Sequence, residues 1–136
     1  MLVLFLTSCS SHRTCHPDSW VISAGSGGGI TGGSSGYDLS CNGKVSSWRI
    51  LQPGTNREVI EQFELECDSA EFYKTYLDKI KFETIAHAKT GNWTHFVELR
   101  RGEQAHRVSW TGEDAPAAVK IFHEMFIGSL NARAKK

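Results

Sequence analysis

A run of glycine and serine from Gly25 to Gly36 leaves little room for regular structure in this chain. Seven of its twelve residues are glycine, and glycine loses more conformational freedom on folding than any other residue. The composition therefore predicts a flexible loop. The apolar stretch Trp20-Val21-Ile22 before the run is expected to be a short strand, so the loop would connect this strand to the rest of the fold.

Alternating polarity after the run predicts a β-hairpin. Tyr37, Leu39 and Cys41 alternate with polar residues, and a second strand is expected from Val45 to Leu51. Asn42-Gly43 between the two strands supplies a pair of residues that accept positive φ, which a two-residue type I′ turn requires.

The next segment allows a strand or a helix. After a turn at Pro53-Gly54, apolar or cysteine side chains alternate with acidic and amide side chains over residues 61–67, which predicts a third strand with one solvated face. A helix over the same residues is the alternative. Asp68 to Glu71 then resembles a capping box, so a helix is predicted over residues 69–81.

The C-terminal part predicts a second hairpin followed by a helix. Trp93 to Arg100 and Gln104 to Trp110 flank Arg101-Gly102-Glu103, which has the composition of a hairpin turn. Asp114 can cap a helix whose first turn contains Pro116. The apolar stripe of that helix is predicted to consist of Ala118, Ile121, Phe122, Met125, Phe126 and Leu130.

This order of elements favours an α+β fold, an antiparallel sheet of about five to six strands with two helices packed on one face. A chain of 136 residues is long enough for one such domain. The predicted organisation is a signal over residues 1–8, a lipidated cysteine and flexible tether over 9–19, one domain over 20–131 and a polar tail over 132–136.

The N-terminus is informative about location. Met1 to Leu6 is almost wholly apolar, and Leu6-Thr7-Ser8 precedes Cys9. These residues resemble a bacterial lipobox, in which signal peptidase cuts before the cysteine and the thiol is alkylated with diacylglycerol. The resemblance implies a lipid on Cys9 and a protein that is anchored to a membrane of the bacterial cell envelope and faces the periplasm. A buried strand with a chance cysteine is the alternative.

The segment before Cys9 is shorter than the about 15 to 30 residues of a complete signal peptide, so the true start is expected upstream. In an oxidising compartment the other cysteines can form disulfides. Cys41 and Cys67 are expected to pair because both lie at the ends of predicted strands, whereas Cys15 lies in the tether. Unpaired cysteines in the core are an equally good alternative.

No motif predicts a cofactor, a metal centre or a catalytic residue. Gly27 to Gly32 fits the dinucleotide pattern GxGxxG, but that pattern requires a helix after the glycines, and a strand is expected here. The histidines lack metal-ligand spacing, and Ser26 and Ser34 lie among glycines that would not hold a nucleophile rigidly. Fifteen basic residues balance fifteen acidic ones, so nucleic acid is not an expected partner. We therefore do not expect an enzyme.

Three groups of proteins resemble parts of this sequence. Gly27-Gly28-Gly29-Ile30-Thr31-Gly32 is similar to the GGGxTG segment of uncharacterised Bacteroidetes-type small lipoproteins. The same segment, with the later hairpin and Ala115-Pro116, more distantly resembles the emfourin-like inhibitors of thermolysin-type metalloproteases. Tyr37 to Gly43 also has a faint resemblance to the start of lipoprotein lysozyme inhibitors.

The inhibitor resemblances imply a protein-binding domain whose loop enters the cleft of a partner enzyme, with a secreted metalloprotease as the partner. The segment expected to insert consists of Ser26, Gly27, Gly28, Gly29, Ile30, Thr31 and Gly32. A structural or assembly role, carried by the exposed sheet face, is one alternative. An envelope enzyme with a carboxylate pair such as Glu64 and Glu66 is another.

Overall fold

The computed structural model describes residues 19–134, so the predicted signal and Cys9 lie outside the described residues. The elements are β1 Trp20–Gly28, β2 Gly33–Ser40, β3 Lys44–Ile50, β4 Glu58–Glu64, α1 Cys67–Lys79, a 3-10 turn Phe82–Thr84, β5 Trp93–Arg101, β6 Gln104–Thr111 and α2 Ala117–Ala134. No helix in residues 19–134 is both long and apolar enough to cross a bilayer.

All six strands form one antiparallel sheet in the order β4-β3-β2-β1-β5-β6, which confirms the α+β fold. Helix α2 lies against β1, β2 and β5, and α1 packs on α2. Alternate residues of the strands point toward the helices because strand side chains have a period of two. The sheet contributes Ile22, Ala24, Leu39, Val45, Val97, Leu99, Val108 and Trp110 to the core.

Helix α2 buries a stripe that differs in part from the predicted one. Phe122, Phe126 and Leu130 are fully buried as predicted, and Val119 joins them. Ile121, which was expected to belong to the stripe, is 56% exposed. The helix also extends to Ala134, three residues beyond the predicted end of the domain.

The glycine run is not a flexible loop, and this prediction is wrong. β1 extends to Gly28 and β2 begins at Gly33, so only Gly29 to Gly32 lie outside the strands. β1 lies between β2 and β5 and pairs with both along its length. Backbone hydrogen bonds on both sides offset the entropy that glycine loses in a strand.

Glycine is required where β1 and β2 face each other at Gly25 and Gly36. Gly25 pairs directly with Gly36. A Cβ atom added to Gly25 would lie 2.3 Å from the carbonyl oxygen of Ser35, and one on Gly36 would lie 2.2 Å from that of Ala24. Real Cβ atoms essentially never approach so closely. A side chain at either position would therefore force the two strands apart.

This glycine pair also supports a second apolar layer on the face of the sheet opposite the helices. Trp48 and Phe96 come from the strands on either side and stack with their ring centroids 6.1 Å apart. They are only 3% and 8% exposed, respectively. The guanidinium group of Arg57 lies 4.0 Å from the Trp48 ring, and that of Arg107 lies 4.2 Å from the Phe96 ring. The two guanidinium groups therefore lie over the aromatic rings and complete this second layer.

Both predicted hairpins form, but two local details were predicted wrongly. The β2–β3 turn is closed by a hydrogen bond of 2.9 Å from Gly43 N to Ser40 O, and of these residues only Gly43 has positive φ. A type I′ turn needs two such residues, so its assignment to Asn42-Gly43 is wrong. Helix α1 begins at Cys67 with Glu66 as N-cap, which places Asp68 inside the first turn and not at the cap.

The strand predicted over residues 61–67 forms only in part, because it ends at Glu64 and Cys67 begins α1. The helical alternative is wrong for residues 61–66, and the expectation of one solvated face is also wrong, since nearly all residues of the strand are exposed. β4 covers Glu58–Glu64 and pairs with β3 alone. Its register shifts opposite Ser47 and Trp48, where Ile60 is the extra residue of a β-bulge.

We expect Gly36→Ala to lower the free energy of unfolding by about 1–3 kcal/mol, because the added methyl group overpacks the space between two backbones. Urea unfolding measures this change. Gly128→Ala is the matched control, since Gly128 lies in α2 with open space around its Cα, and alanine there should be neutral or stabilising by up to about 1 kcal/mol. Equal stability of the two variants would contradict the requirement for glycine at position 36.

Candidate functional site

Three connecting segments meet at one end of the sheet, where β1 and β3 end and β2, β4 and β5 begin. They are the β1–β2 turn Gly29 to Gly32, the β3–β4 loop over residues 51–57, and residues 89–92 before β5. Gly29 N donates a hydrogen bond of 2.6 Å to Asn92 O, and a Cβ on Gly32 would lie 2.6 Å from the ring of Pro53. The three segments therefore support one another.

Each of these segments, or the strand residue that follows it, exposes a large apolar side chain. Ile30 in the turn is fully exposed, Leu51 is 60% exposed and Trp93 is 50% exposed. We call these three residues the tip surface. A single exposed apolar side chain is common in proteins, but three at one end of a sheet form a candidate protein-binding surface.

The structure divides the predicted partner-binding segment into two parts. Ser26, Gly27 and Gly28 are paired on both sides within β1, so they cannot enter a partner's cleft without breaking the sheet. Gly29, Ile30, Thr31 and Gly32 form the turn, and Gly29 and Gly32 have φ of 75° and 68°. Residues with side chains rarely adopt such φ values, so glycine fixes the shape of the turn.

The chain enters the sheet at the end opposite the tip surface. β1 begins there with Trp20, whose carbonyl oxygen accepts a hydrogen bond of 3.1 Å from Cys41 N. Cys41 and Cys67 both lie in disulfides. Their pairing with each other stays a prediction, favoured because Leu65 N donates to Gly43 O at 2.8 Å and so brings the two segments together.

A cleft of about 280 Å³ lies on the helix-bearing face of the sheet. Its walls are the strands β1 to β4 on one side and the C-terminal half of α2 on the other. The side chains around it are hydroxyl, amide or apolar groups from Ser26, Ser35, Tyr37, Ser47, Ile60, Ile127 and Asn131. The Tyr37 hydroxyl donates a hydrogen bond of 2.5 Å to Asn131 Oδ1. Burial raises the pKa of Tyr37, and the nearby Glu61 carboxylate raises it further. The lining is therefore uncharged at neutral pH.

Beside this cleft, the fold brings together residues that are far apart in sequence. Ser26 Oγ lies 2.6 Å from His95 Nδ1, and the His95 ring lies 5.2 Å from the His123 ring. His123 Nε2 donates to Gly25 O at 3.0 Å. Burial lowers the pKa of His123, and the neighbouring His95 contributes in the same direction. Trp110 packs against both imidazoles.

The remaining histidines and the carboxylate pair considered from the sequence do not belong to this cluster. His87 Nδ1 donates to Ser109 O and His106 Nε2 donates to Ile85 O, so both have structural roles. Glu64 ends β4 and Glu66 precedes α1, and both are exposed. Within residues 19–134, no group of three or more histidine, cysteine or carboxylate side chains is placed to hold a metal ion.

Sequence reasoning missed Leu51, Trp93 and the pairing of Ser26 with His95. Leu51 and Trp93 were counted as ordinary strand residues. Ser26 and His95 are 69 residues apart in sequence, and they become neighbours only because β1 pairs with β5. Ser26 lies in a segment of small residues, which indicated a loop. A residue in a flexible loop is not expected to pair with a residue of a strand.

Comparisons with protein-family models and with curated proteins find no match to this chain. The lipobox and inhibitor resemblances therefore stay expectations from the sequence.

We expect His123→Gln to reduce the loss of stability on acidification. Histidine in the unfolded chain takes up a proton near its usual pKa of 6.5, whereas burial lowers the pKa of folded His123, so the folded state takes up this proton only at lower pH. The unfolded state then binds more protons, so this group lowers stability as pH falls below 6.5. Glutamine cannot titrate and can still donate to Gly25 O.

The measurement is urea unfolding of both proteins at about pH 7.5 and about pH 5, on either side of the histidine titration range. His95 and Glu124, which also act on His123, are present in both proteins. The same loss of unfolding free energy in wild type and variant would show that His123 does not contribute.

Proposed function

We propose that this chain is a lipid-anchored protein of a bacterial cell envelope whose domain binds a protein partner through the tip surface. The observation that carries the proposal is the arrangement of the domain along β1. The strand begins with Trp20 at one end of the sheet and ends with Gly28 at the other, next to the turn that exposes Ile30.

This arrangement would direct the tip surface away from the membrane. β1 has nine residues, and a strand rises about 3.3 Å per residue, so the two ends are roughly 25 Å apart. With a lipid on Cys9, the entry of the tether at Trp20 would orient that end of the sheet toward the membrane. Ile30, Leu51 and Trp93 would then face the periplasmic space.

The tip surface has the properties of a rigid binding element. A partner would gain the burial of Ile30 and Trp93, worth about 1.5–3 kcal/mol for a large apolar side chain. Little ordering entropy would be lost, because the turn is already held by its contacts with Asn92 and Pro53. Gly29 carries no side chain and has open space around its Cα, so the backbone of the turn can approach a partner closely there.

A narrow turn with an apolar apex suits the active-site cleft of an enzyme. The emfourin-like resemblance points to a secreted metalloprotease as this enzyme, and the chain would act as its inhibitor. In the proposed inhibitory contact, Ile30 enters the active-site cleft of the protease, and Leu51 and Trp93 contact the rim of that cleft.

A structural or assembly role is the second candidate, and the edge strand β4 favours it. β4 pairs only with β3, and Val59 and Ile60 are more than half exposed. Another chain could extend the sheet at this edge. Glu58, Glu61 and Glu64 along the strand oppose such pairing, since charges commonly protect edge strands. We therefore place the binding function at the tip surface.

We expect the purified protein to inhibit a thermolysin-type metalloprotease in a saturable manner, and Ile30→Asp to weaken inhibition by about 10- to 100-fold, because a charge would enter an apolar contact. The measurement is residual protease activity at increasing inhibitor concentration. Ile121→Asp is the matched control, since Ile121 is an isoleucine on α2 that is 56% exposed and lies outside the tip surface.

Equal weakening by the two variants would contradict binding through the tip surface. No inhibition of any enzyme in a panel of secreted proteases and lysozymes would remove the inhibitor proposal. In that case, cross-linking in intact cells would test the edge strand β4 as the contact.

We expect Cys9→Ala to release the protein from the membrane fraction, because stable anchoring depends on acyl chains that contribute about 0.8 kcal/mol per buried methylene. Fractionation of cells expressing each protein measures the change. Cys15→Ala, which alters a nearby cysteine, should remain in the membrane fraction. Unchanged fractionation of Cys9→Ala would contradict the lipid anchor.

A further inference from the structure

We propose that Ser26 and His95 form an acyl-transfer pair that hydrolyses small uncharged carboxylic esters bound in the cleft. This activity is separate from partner binding by the tip surface and uses a different face of β1. Ser26 would be the nucleophile and His95 the general base.

The first support is the geometry of the pair. Ser26 and His95 lie directly opposite each other on β1 and β5, with Oγ and Nδ1 2.6 Å apart. This distance is within the range of a nucleophile bonded to its base. When His95 carries its proton on Nε2, Nδ1 accepts the hydrogen bond from the serine hydroxyl.

The second support is rigidity. Sequence reasoning rejected Ser26 as a nucleophile because it lies among glycines. The structure places Ser26 in a strand that pairs with Ser35 on one side and with His95 on the other. Both members of the pair are therefore held by the sheet, which is the support that a catalytic pair requires.

The third support is the charge around His95. The nearest ring is His123, and its burial favours the neutral imidazole. A positive charge at this position would oppose proton transfer to His95. Since His123 is uncharged and its Nε2 proton is bound by Gly25 O, His95 can become cationic without repulsion from this neighbour.

The cleft defines the class of substrate. Ser26 lies on its wall, and the other side chains that line it carry no charge at neutral pH. The Glu61 carboxylate, which acts on Tyr37, would repel an anionic substrate, and no side chain of the lining would pair with an ion, so the cleft favours an uncharged ester. The Tyr37 hydroxyl occupies Asn131 Oδ1, which leaves the amide N–H groups of Asn131 as donors for a substrate oxygen.

In the first step, Ser26 Oγ forms a bond to the ester carbonyl carbon and its proton passes to His95 Nδ1. The bond from that carbon to the alcohol oxygen breaks, and the alcohol leaves with the proton from His95. A water molecule then attacks the acyl-serine and gives a proton to His95. The acid is released as Ser26 Oγ recovers that proton, so both residues return to their starting state.

The test uses the full-length protein, a fluorophosphonate probe that reacts with activated serines, and p-nitrophenyl acetate as the uncharged ester. We expect the probe to label Ser26, identified by peptide mass spectrometry, and p-nitrophenyl acetate hydrolysis to fall at least tenfold in both Ser26→Ala and His95→Gln. Ser34→Ala is the matched control, because Ser34 lies on the neighbouring strand β2, opposite Gly27, and does not line the cleft. It should keep both labelling and hydrolysis.

Thermal unfolding of each variant confirms that the fold is intact, and His95→Gln tests the base without changing the nucleophile. Absence of labelling in the wild-type protein would overturn the proposal. Equal hydrolysis by wild type, Ser26→Ala and His95→Gln would also overturn it. Partner binding by the tip surface is measured separately, so neither result depends on the inhibitor proposal.

Discussion

The close pairing of Gly25 with Gly36 is the contact on which the centre of this structure depends. Two strands approach there with no space for a Cβ atom on either residue. The space above the pair is filled by the stacked rings of Trp48 and Phe96. The sheet can therefore be covered by helices on one face and by an aromatic layer on the other, and β1 is fixed between its two neighbours.

Because β1 is held between its neighbours, the two ends of the sheet present different groups. Its first residue lies beside the turn that contains Cys41, and its last residue leads into the turn that exposes Ile30. A domain tethered at the first end would present the second end to its surroundings. The same strand also carries Ser26 on the helix-bearing face, so the proposed ester hydrolysis and the proposed partner binding rest on one rigid element but use different surfaces.

Much of the fold follows from local patterns in the sequence. The hairpin around Gly102 and the apolar spacing of Phe122, Phe126 and Leu130 were correctly predicted, because alternation and helical periodicity report which face of an element is buried. The prediction of a flexible loop for the glycine run was wrong for a physical reason. A high glycine content indicates that the chain loses much conformational entropy when it forms a strand. It does not show that two neighbouring strands will supply hydrogen bonds that offset this loss.

The candidate sites were less accessible to sequence reasoning. Ile30 was expected in a long flexible loop and lies in a four-residue turn, and nothing in the local sequence shows that Trp93 lies at the same end of the sheet. Ser26 and His95 meet only through the β1–β5 register, which depends on contacts across the whole domain. Ile121 was assigned to the buried face of α2, and Val119 was not. Both positions fit an apolar stripe, and only packing selects between them.

The central claim is that the glycine run is a rigid hairpin with a short exposed turn. Amide hydrogen exchange measured by NMR on the native protein tests it most directly, because exchange rates report whether each backbone N–H is held in structure. We predict slow exchange for Ser23 to Gly27 and fast exchange for Ile30 and Thr31. Fast exchange throughout Gly25 to Gly36 would contradict the account, since the run would then be a flexible loop that could hold neither the turn nor Ser26 in place.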